Sequence, residues 1–413
     1  MKRWLAVALL VNCAPLFAQR FPLPTGLPGS PFSIKNTWII GGVGNWDYLT
    51  MDANARRLYI AHGRDVQVVD VDSGMLAGTV TGFTQAHQVL LDESGQYGYV
   101  SDGPASDIKV FDRATLQIVG AIPTAPGPRA IALDAESGLL FAVCSGSAEG
   151  PASTNRPAQP VRSRAPASRS AARPRSTITV IDTGNRVALA RIDVVGQLGF
   201  AQASGNGQVF VTATDPRGIL RIDVAQMNAA LEKIRTDRVS SAGANQPLNV
   251  EWDPAHPSPV ASSLHFLRMG SGCNDPLSLA FDSHHLRLFT ACSNMVLTVT
   301  NADTGAQVTT LPIGPDAQAV AYDANRGLIF TSNGGGDGSL TIIRQSVTDT
   351  YSVIQNLPTK QQARTMALDP DTGDVFLVTV LYGAKVGPPP RNGIGTLSMT
   401  PIDSSFQVMV VGN

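Results

Sequence analysis

A pattern that returns seven times along the chain limits the fold more than any other feature. It appears as Leu58-Tyr59-Ile60-Ala61, Gly98-Tyr99-Val100-Ser101, Leu140-Phe141-Ala142-Val143 and Val209-Phe210-Val211-Thr212. It continues as Leu288-Phe289-Thr290-Ala291, Ile329-Phe330-Thr331-Ser332 and Val375-Phe376-Leu377-Val378. Seven residues before each aromatic stand Asp52, Asp92, Asp134, Ala203, Asp282, Asp323 and Asp369. The aromatics are 40, 42, 69, 79, 41 and 46 residues apart, so the underlying period is near 40 and two intervals carry insertions. After each aromatic comes a further alternating run, such as Val66–Val69, Ile108–Phe111, Ile178–Ile181 and Leu340–Ile343. Alternation with period two and many β-branched residues is the strand pattern.

Four short strands per repeat of about 40 residues make one propeller blade, whereas a solenoid of that period would alternate strand with helix. The expected fold is all-β, a seven-bladed β-propeller over 32–413. The last repeat stops after its third strand, and Phe32–Ile40 is strand-like. The N-terminal strand is therefore expected to become the outer strand of blade 7 (one strand from the start, three from the end), which leaves no large edge open. Two insertions are expected. Residues 147–176 are rich in Arg, Pro and Ser with little apolar to bury, and are expected to be disordered. Residues 224–275 hold one helix-like stretch, Ala225–Lys233, and an irregular segment around Trp252.

The repeats, with Leu58-Tyr59-Ile60-Ala61 and the Val68–Gly74 turn, resemble the YVTN-repeat family of seven-bladed propellers, which includes YncE-like exported proteins. Trp46-Asp47-Tyr48, Asp303-Thr304-Gly305 and Ala363–Asp369 carry the likeness further. The resemblance implies the fold and an exported location. The family has no agreed catalytic set, and the DNA binding described for some members does not pass to this chain with the fold.

The first residues agree with export. Lys2 and Arg3 precede an apolar run, and Leu16-Phe17-Ala18 suits cleavage, so 1–18 reads as a signal peptide and 19–31 as a linker. The expected location is periplasmic or secreted. The apolar run is too short to span a bilayer and no later stretch reaches ~20 apolar residues, so no transmembrane segment is expected. A formal net charge of −1 gives no global attraction to nucleic acid. A monomer is expected.

In a blade the first strand starts at the face where the second ends, so two rings of residues are expected at one mouth of the central channel. One is Asp47, His87, Arg129, Leu198, Leu277, Gln318 and Arg364; the other is His62, Asp102, Cys144, Ala213, Cys292, Asn333 and Thr379. Their polar members Asp47, His62, His87, Asp102, Arg129, Gln318, Asn333 and Arg364 are the candidate ligand-binding residues. Arg129 and Arg364 suit a carboxylate or phosphate, or else pair with Asp102 or Asp47 across the rim. His62 and His87 with Asp47 either cap strands at the rim, hold a divalent metal or serve a hydrolysis. Recurrence in nearly every blade marks the repeat Asp residues, and Asp70, Asp112, Asp182 and Asp223, as turn formers. The recurring aromatics read as core between blades.

Cys273 and Cys292 bracket the first two strands of blade 5 and are placed to form a disulfide, with Cys144 a lone thiol. No cofactor is called for, and no nucleophile elbow, phosphate loop or dinucleotide fingerprint stands in a strand–helix context. The favoured reading is an exported, non-catalytic binding or scaffold propeller whose polar funnel suits a small anionic ligand, or whose rims suit a partner protein. One alternative is a lactonase-like or metal-dependent hydrolase using the funnel His and Asp residues. The other is polyanion (DNA) binding through Arg156, Arg162, Arg164, Arg169, Arg173 and Arg175.

Overall fold

The computed structural model describes residues 31–42, 44–146, 175–238, 247–252, 260–386 and 397–413. The expected signal peptide and almost all of the linker lie outside these residues, as do Arg156, Arg162, Arg164, Arg169 and Arg173.

Seven sheets follow one another in chain order. Blade 1 is built from Trp46–Asp52, Arg57–His62, Asp65–Asp70 and Met75–Thr81, and blade 2 from Ala86–Leu91, Tyr97–Asp102, Asp107–Asp112 and Ile118–Pro123. Blade 5 (Pro276–Pro312) and blade 6 (Ala317–Pro358) repeat the same antiparallel order. The first strands of successive blades touch in sequence, and the first strand of blade 7 touches that of blade 1, which closes a ring. The fold is a seven-bladed β-propeller.

Blade 7 takes Met366–Leu368, Val375–Thr379 and Gln407–Gly412 from the end of the chain and Ser33–Ile39 from the start, with the N-terminal strand outermost. Trp38 pairs with Val408 and Ile34 with Val411. Just before this strand, Phe32 reaches over to blade 6 from a core it shares with blade 7. Its ring packs edge-on against Phe330 of blade 6, and its N–H and C=O both bond the Gln355 amide (2.9 and 2.8 Å). Trp38 packs on Phe376 and covers the turn of blade 1 at Gly74 (φ +69°), where a Cβ would collide with the indole. The N-terminal segment thus touches blades 6, 7 and 1.

The recurring aromatics Tyr59, Tyr99, Phe141, Phe210, Phe289, Phe330 and Phe376 are all at most 2% exposed. They meet the next blade: Tyr59 lies 5.8 Å from Phe111, Phe210 5.1 Å from Phe281 and Phe289 5.1 Å from Tyr322. Burying each such ring contributes about 1.5–3 kcal/mol, so the blades are joined by the element that repeats in the sequence. The repeat Asp residues act as turn formers. Asp134 accepts the Ser137 N–H (3.1 Å) and hydroxyl (2.6 Å), and Asp323 accepts the N–H groups of Asn325 and Arg326. Asp223 serves a helix instead, accepting the Gln226 N–H (2.9 Å) as its N-cap.

Two sequence expectations need correction, and one hairpin was not expected. The insertion expected over 147–176 ends earlier, because Arg175–Asp182 is the third strand of blade 3, and Ser176 is buried with its hydroxyl on Gly196 C=O (3.1 Å). Arg175 pairs with Glu251 at 2.8 Å. Within 224–275, the helix-like stretch is a helix and the described residues on either side of the expected irregular segment form strands; 239–246 and 253–259 lie outside the described residues. The segment contains the helix Val224–Arg238, a strand Leu248–Trp252 that adds in parallel to Val187–Val195 of blade 3, and the outer strand of blade 4, Leu264–Arg268. Met227, Leu231, Leu248, Trp252, Val260 and Leu264 form one core with blades 3 and 4, and that burial anchors the described parts of the segment. Finally, an unexpected hairpin, Tyr382–Val386 with Leu397–Pro401, stands between the second and third strands of blade 7. Among the described residues no helix is long and apolar enough to cross a membrane.

Candidate functional site: the mouth of the central channel

The first ring of expected funnel residues falls on a recurring irregularity. Pairing between the first two strands breaks between Trp46 and Leu49, Ala86 and Val89, Pro128 and Ala130, Pro276 and Ser278, and Ala317 and Ala319. Asp47, His87, Arg129, Leu277 and Gln318 sit inside these breaks. A bulge re-aims the side chain it carries, so these five positions are turned in the same way. In blade 4 the break runs from Leu198 to Ala201.

Blades 1, 2 and 3 bring three charged or polar groups together. His87 Nδ1–H donates to Asp47 Oδ2 (2.9 Å), and Arg129 Nη2 lies 3.6 Å from the same oxygen. Arg129 and Arg364 are set by one device. Ser101 of blade 2 donates to Arg129 C=O (2.7 Å), and Ser332, its equivalent in blade 6, donates to Arg364 C=O (2.5 Å). The Arg364 guanidinium also meets Gln362 Oε1 at 3.3 Å. Both arginines act on the Tyr48 hydroxyl. Burial and the Asp47 charge push that phenol well above its usual range, and Arg129 and Arg364 oppose the rise. The Tyr48 ring lies 5.3 Å from Phe200. These rings belong to the first strands of blades 1 and 4, so their contact reaches across the axis one residue beyond Asp47. Gln318 turns to Asp316 instead (2.8 Å).

The second ring is buried. His62, Asp102, Cys144, Ala213, Cys292, Asn333 and Thr379 are all at most 3% exposed; in the first ring His87 (4%) and Arg364 (6%) are buried too, whereas the side chains of Asp47 and Arg129 are 17% and 29% exposed. His62 donates from Nδ1 to Gln67 Oε1 (2.8 Å), has Nε2 3.3 Å from Gly44 C=O and stacks on Phe406 at 4.0 Å. Asp102 accepts the N–H groups of Thr84 (2.7 Å) and Gln85 (2.9 Å) and so fixes the link between blades 1 and 2. Asn333 donates to Ser339 and Thr341. The triad imagined from His62, His87 and Asp47 does not assemble, and among the described residues no group of three His, Cys, Asp or Glu could hold a metal.

Burial holds the His62 imidazolium below its usual range, although Gln67 and Gly44 partly oppose this. The unfolded chain therefore binds this proton more readily than the folded one. The His62 contribution to stability is full above about pH 6.5 and falls as pH drops below that value. Melting temperatures measured from pH 7 to 5 are expected to decline less steeply in His62→Gln than in the parent.

Cys273 and Cys292 form a disulfide with Cα atoms 5.3 Å apart. Cys144 is buried against Thr179, and burial pushes its thiol up to about 11, so it carries little thiolate at neutral pH.

At the opposite face, arginines that sequence reading had missed join the blades. Arg113 of blade 2 pairs with Asp52 of blade 1, and Arg56 of blade 1 pairs with Asp369 of blade 7 (2.5 Å). Burial alone would raise the Asp369 carboxyl, but its bonds from Arg56, Asp371 N–H and Thr372 hold it below the usual range.

No protein-family model and no curated protein sequence matches the chain. Solved structures do. One, described as the crystal structure of a mitotic checkpoint complex, superposes with a TM-score of 0.60 at 12% identity, covering 100% of this chain and 99% of the other. A second, the WD40 repeats of RRP9, gives 0.60 at 7% identity over 91% and 96% of the two chains. At these identities the likeness is one of fold.

Proposed function

We propose that the protein is an exported, non-catalytic binding propeller that takes a small carboxylate- or phosphate-bearing ligand at the polar end of its channel. The observation that carries this reading is the pair Arg129 and Arg364, whose carbonyls are held by equivalent serines and whose charges both act on the Tyr48 hydroxyl. Two guanidinium groups and a phenol, drawn from three blades, suit an oxyanion. The Tyr48–Phe200 contact lies across the axis beneath them, which favours a ligand that rests at the mouth. Asp47 engages His87 and Arg129, which favours a ligand small enough to share Arg129 with it. Export rests on the leader-like first 18 residues and the resemblance of the repeats to exported propellers.

Titration calorimetry at low salt with citrate, succinate and inorganic phosphate tests the reading. At least one of these is expected to bind, and Arg129→Gln and Tyr48→Phe each to weaken it about ten-fold, or ~1.4 kcal/mol. Absence of heat with all three, or unchanged affinity in both variants, would overturn the proposal.

A further inference from the structure

Blade 5 carries a histidine pair that plays no part in the funnel. The turn from Pro276–Asp282 to Arg287–Cys292 lies at the end of the first strand, so it faces away from the funnel mouth. Within it Asp282, whose side chain is 1% exposed, organises both histidines. Its Oδ1 accepts the N–H groups of His284 (3.0 Å) and His285 (3.2 Å), and its Oδ2 accepts His285 Nδ1–H (2.7 Å) and the Gln345 amide (3.2 Å). A proton held on Nδ1 leaves the His285 Nε2 lone pair free, and this atom lies 3.3 Å from His284 Nδ1.

We infer that His284 and His285 form a two-imidazole site for a divalent transition-metal ion, copper in preference to nickel or zinc. Imidazole suits these ions, and the general affinity order puts copper first. Two nitrogens bound at ~2.0–2.1 Å to one ion stand about 2.8 Å apart at the cis angle of a square-planar copper centre and about 3.4 Å apart at a tetrahedral angle, so the 3.3 Å seen here needs only a small closing movement to seat copper. A carboxylate that takes the other N–H of a ligating histidine is the usual support of such a ligand, fixing its tautomer and orientation. Asp282 has that position, and Gln345 of blade 6 holds Asp282 in turn. His284 is exposed and the His285 side chain 29% exposed, so an ion reaches the pair from solvent. No third His, Cys, Asp or Glu completes the set among the described residues, which leaves the remaining positions to water or an incoming ligand. Without metal, the same contact serves as an N–H···N bond from His284 to His285.

The test is calorimetric titration of the untagged, chelator-treated protein with Cu2+ and Zn2+, together with the electron paramagnetic resonance spectrum of the copper form. One ion per chain with nitrogen hyperfine structure is expected, and copper is expected to bind more tightly than zinc. His284→Gln and His285→Gln are each expected to lower the copper affinity at least about ten-fold, while His265→Gln leaves it unchanged. His284 is exposed and its replacement leaves the Asp282 bond to His285 in place, so an unaltered melting temperature for that variant shows that lost binding is not lost folding. No binding at millimolar metal, undiminished binding in either variant, or equal loss in His265→Gln would overturn the inference.

Discussion

Removal of residues 32–39 is expected to lower the unfolding free energy by about 5 kcal/mol or more, a large part of the ~5–15 kcal/mol that holds a typical domain. Phe32 is 5% exposed, and emptying a buried Phe site costs about 3–5 kcal/mol. The deletion also removes the six residue pairs with Gln407–Gly412, whose hydrogen bonds are worth about 0.5–1.5 kcal/mol each. It uncovers Phe376 and the Gly74 turn beneath Trp38, and breaks the Lys35–Asp374 contact at 2.8 Å. Because the segment touches blades 6, 7 and 1, the loss falls on ring closure rather than on one edge. Urea unfolding followed by circular dichroism measures it, and Phe32→Ala alone is expected to give about 3 kcal/mol. An unchanged midpoint in the truncated chain would refute the closure.

Arg113→Met is expected to cost about 3–5 kcal/mol, since it leaves a buried carboxylate without its cation. The side chains of Arg113 and Asp52 are 11% and 5% exposed, and without Arg113 the Asp52 carboxylate keeps the Ala55 N–H (3.1 Å). Arg113 also donates to the Asp92 carbonyl at 3.2 Å, so both turns it joins are loosened. Replacing both partners, as in Asp52→Leu with Arg113→Met, removes the orphaned charge along with the pair. The double variant is expected to be less destabilised than the two single effects combined. Additivity in the denaturation midpoints would show that the pair carries no coupling.

The ring was legible in the residues because each blade repeats its own local code. Alternating apolar runs, an aromatic in the second strand and an Asp before the turn can be read within 40 residues. Equivalent positions of the first funnel ring could be found by counting, because in five blades a pairing break recurs at the same place in the repeat, at Asp47, His87, Arg129, Leu277 and Gln318. The second ring failed for a physical reason. Counting along a strand places His62 and Asp102 at the mouth, but cannot show that neighbouring strands and the next blade bury them. The strand Leu248–Trp252 was hidden in a similar way, because its partner is Val187–Val195, across blade 4 and a helix. The His284–His285 pair is visible as two adjacent letters, yet only the turn closed on Asp282 brings Nδ1 and Nε2 together.

Strand period, turn chemistry and the number of blades depend on residues close together in the chain, and for these the order of amino acids was enough. The contacts that hold the ring shut join residues far apart, 61 positions for Arg113 and Asp52 and 313 for Arg56 and Asp369. No spacing rule links such residues. They meet because seven similar sheets packed around one axis bring the last blade back to the first, and that circular geometry also decides which polar side chains reach the channel.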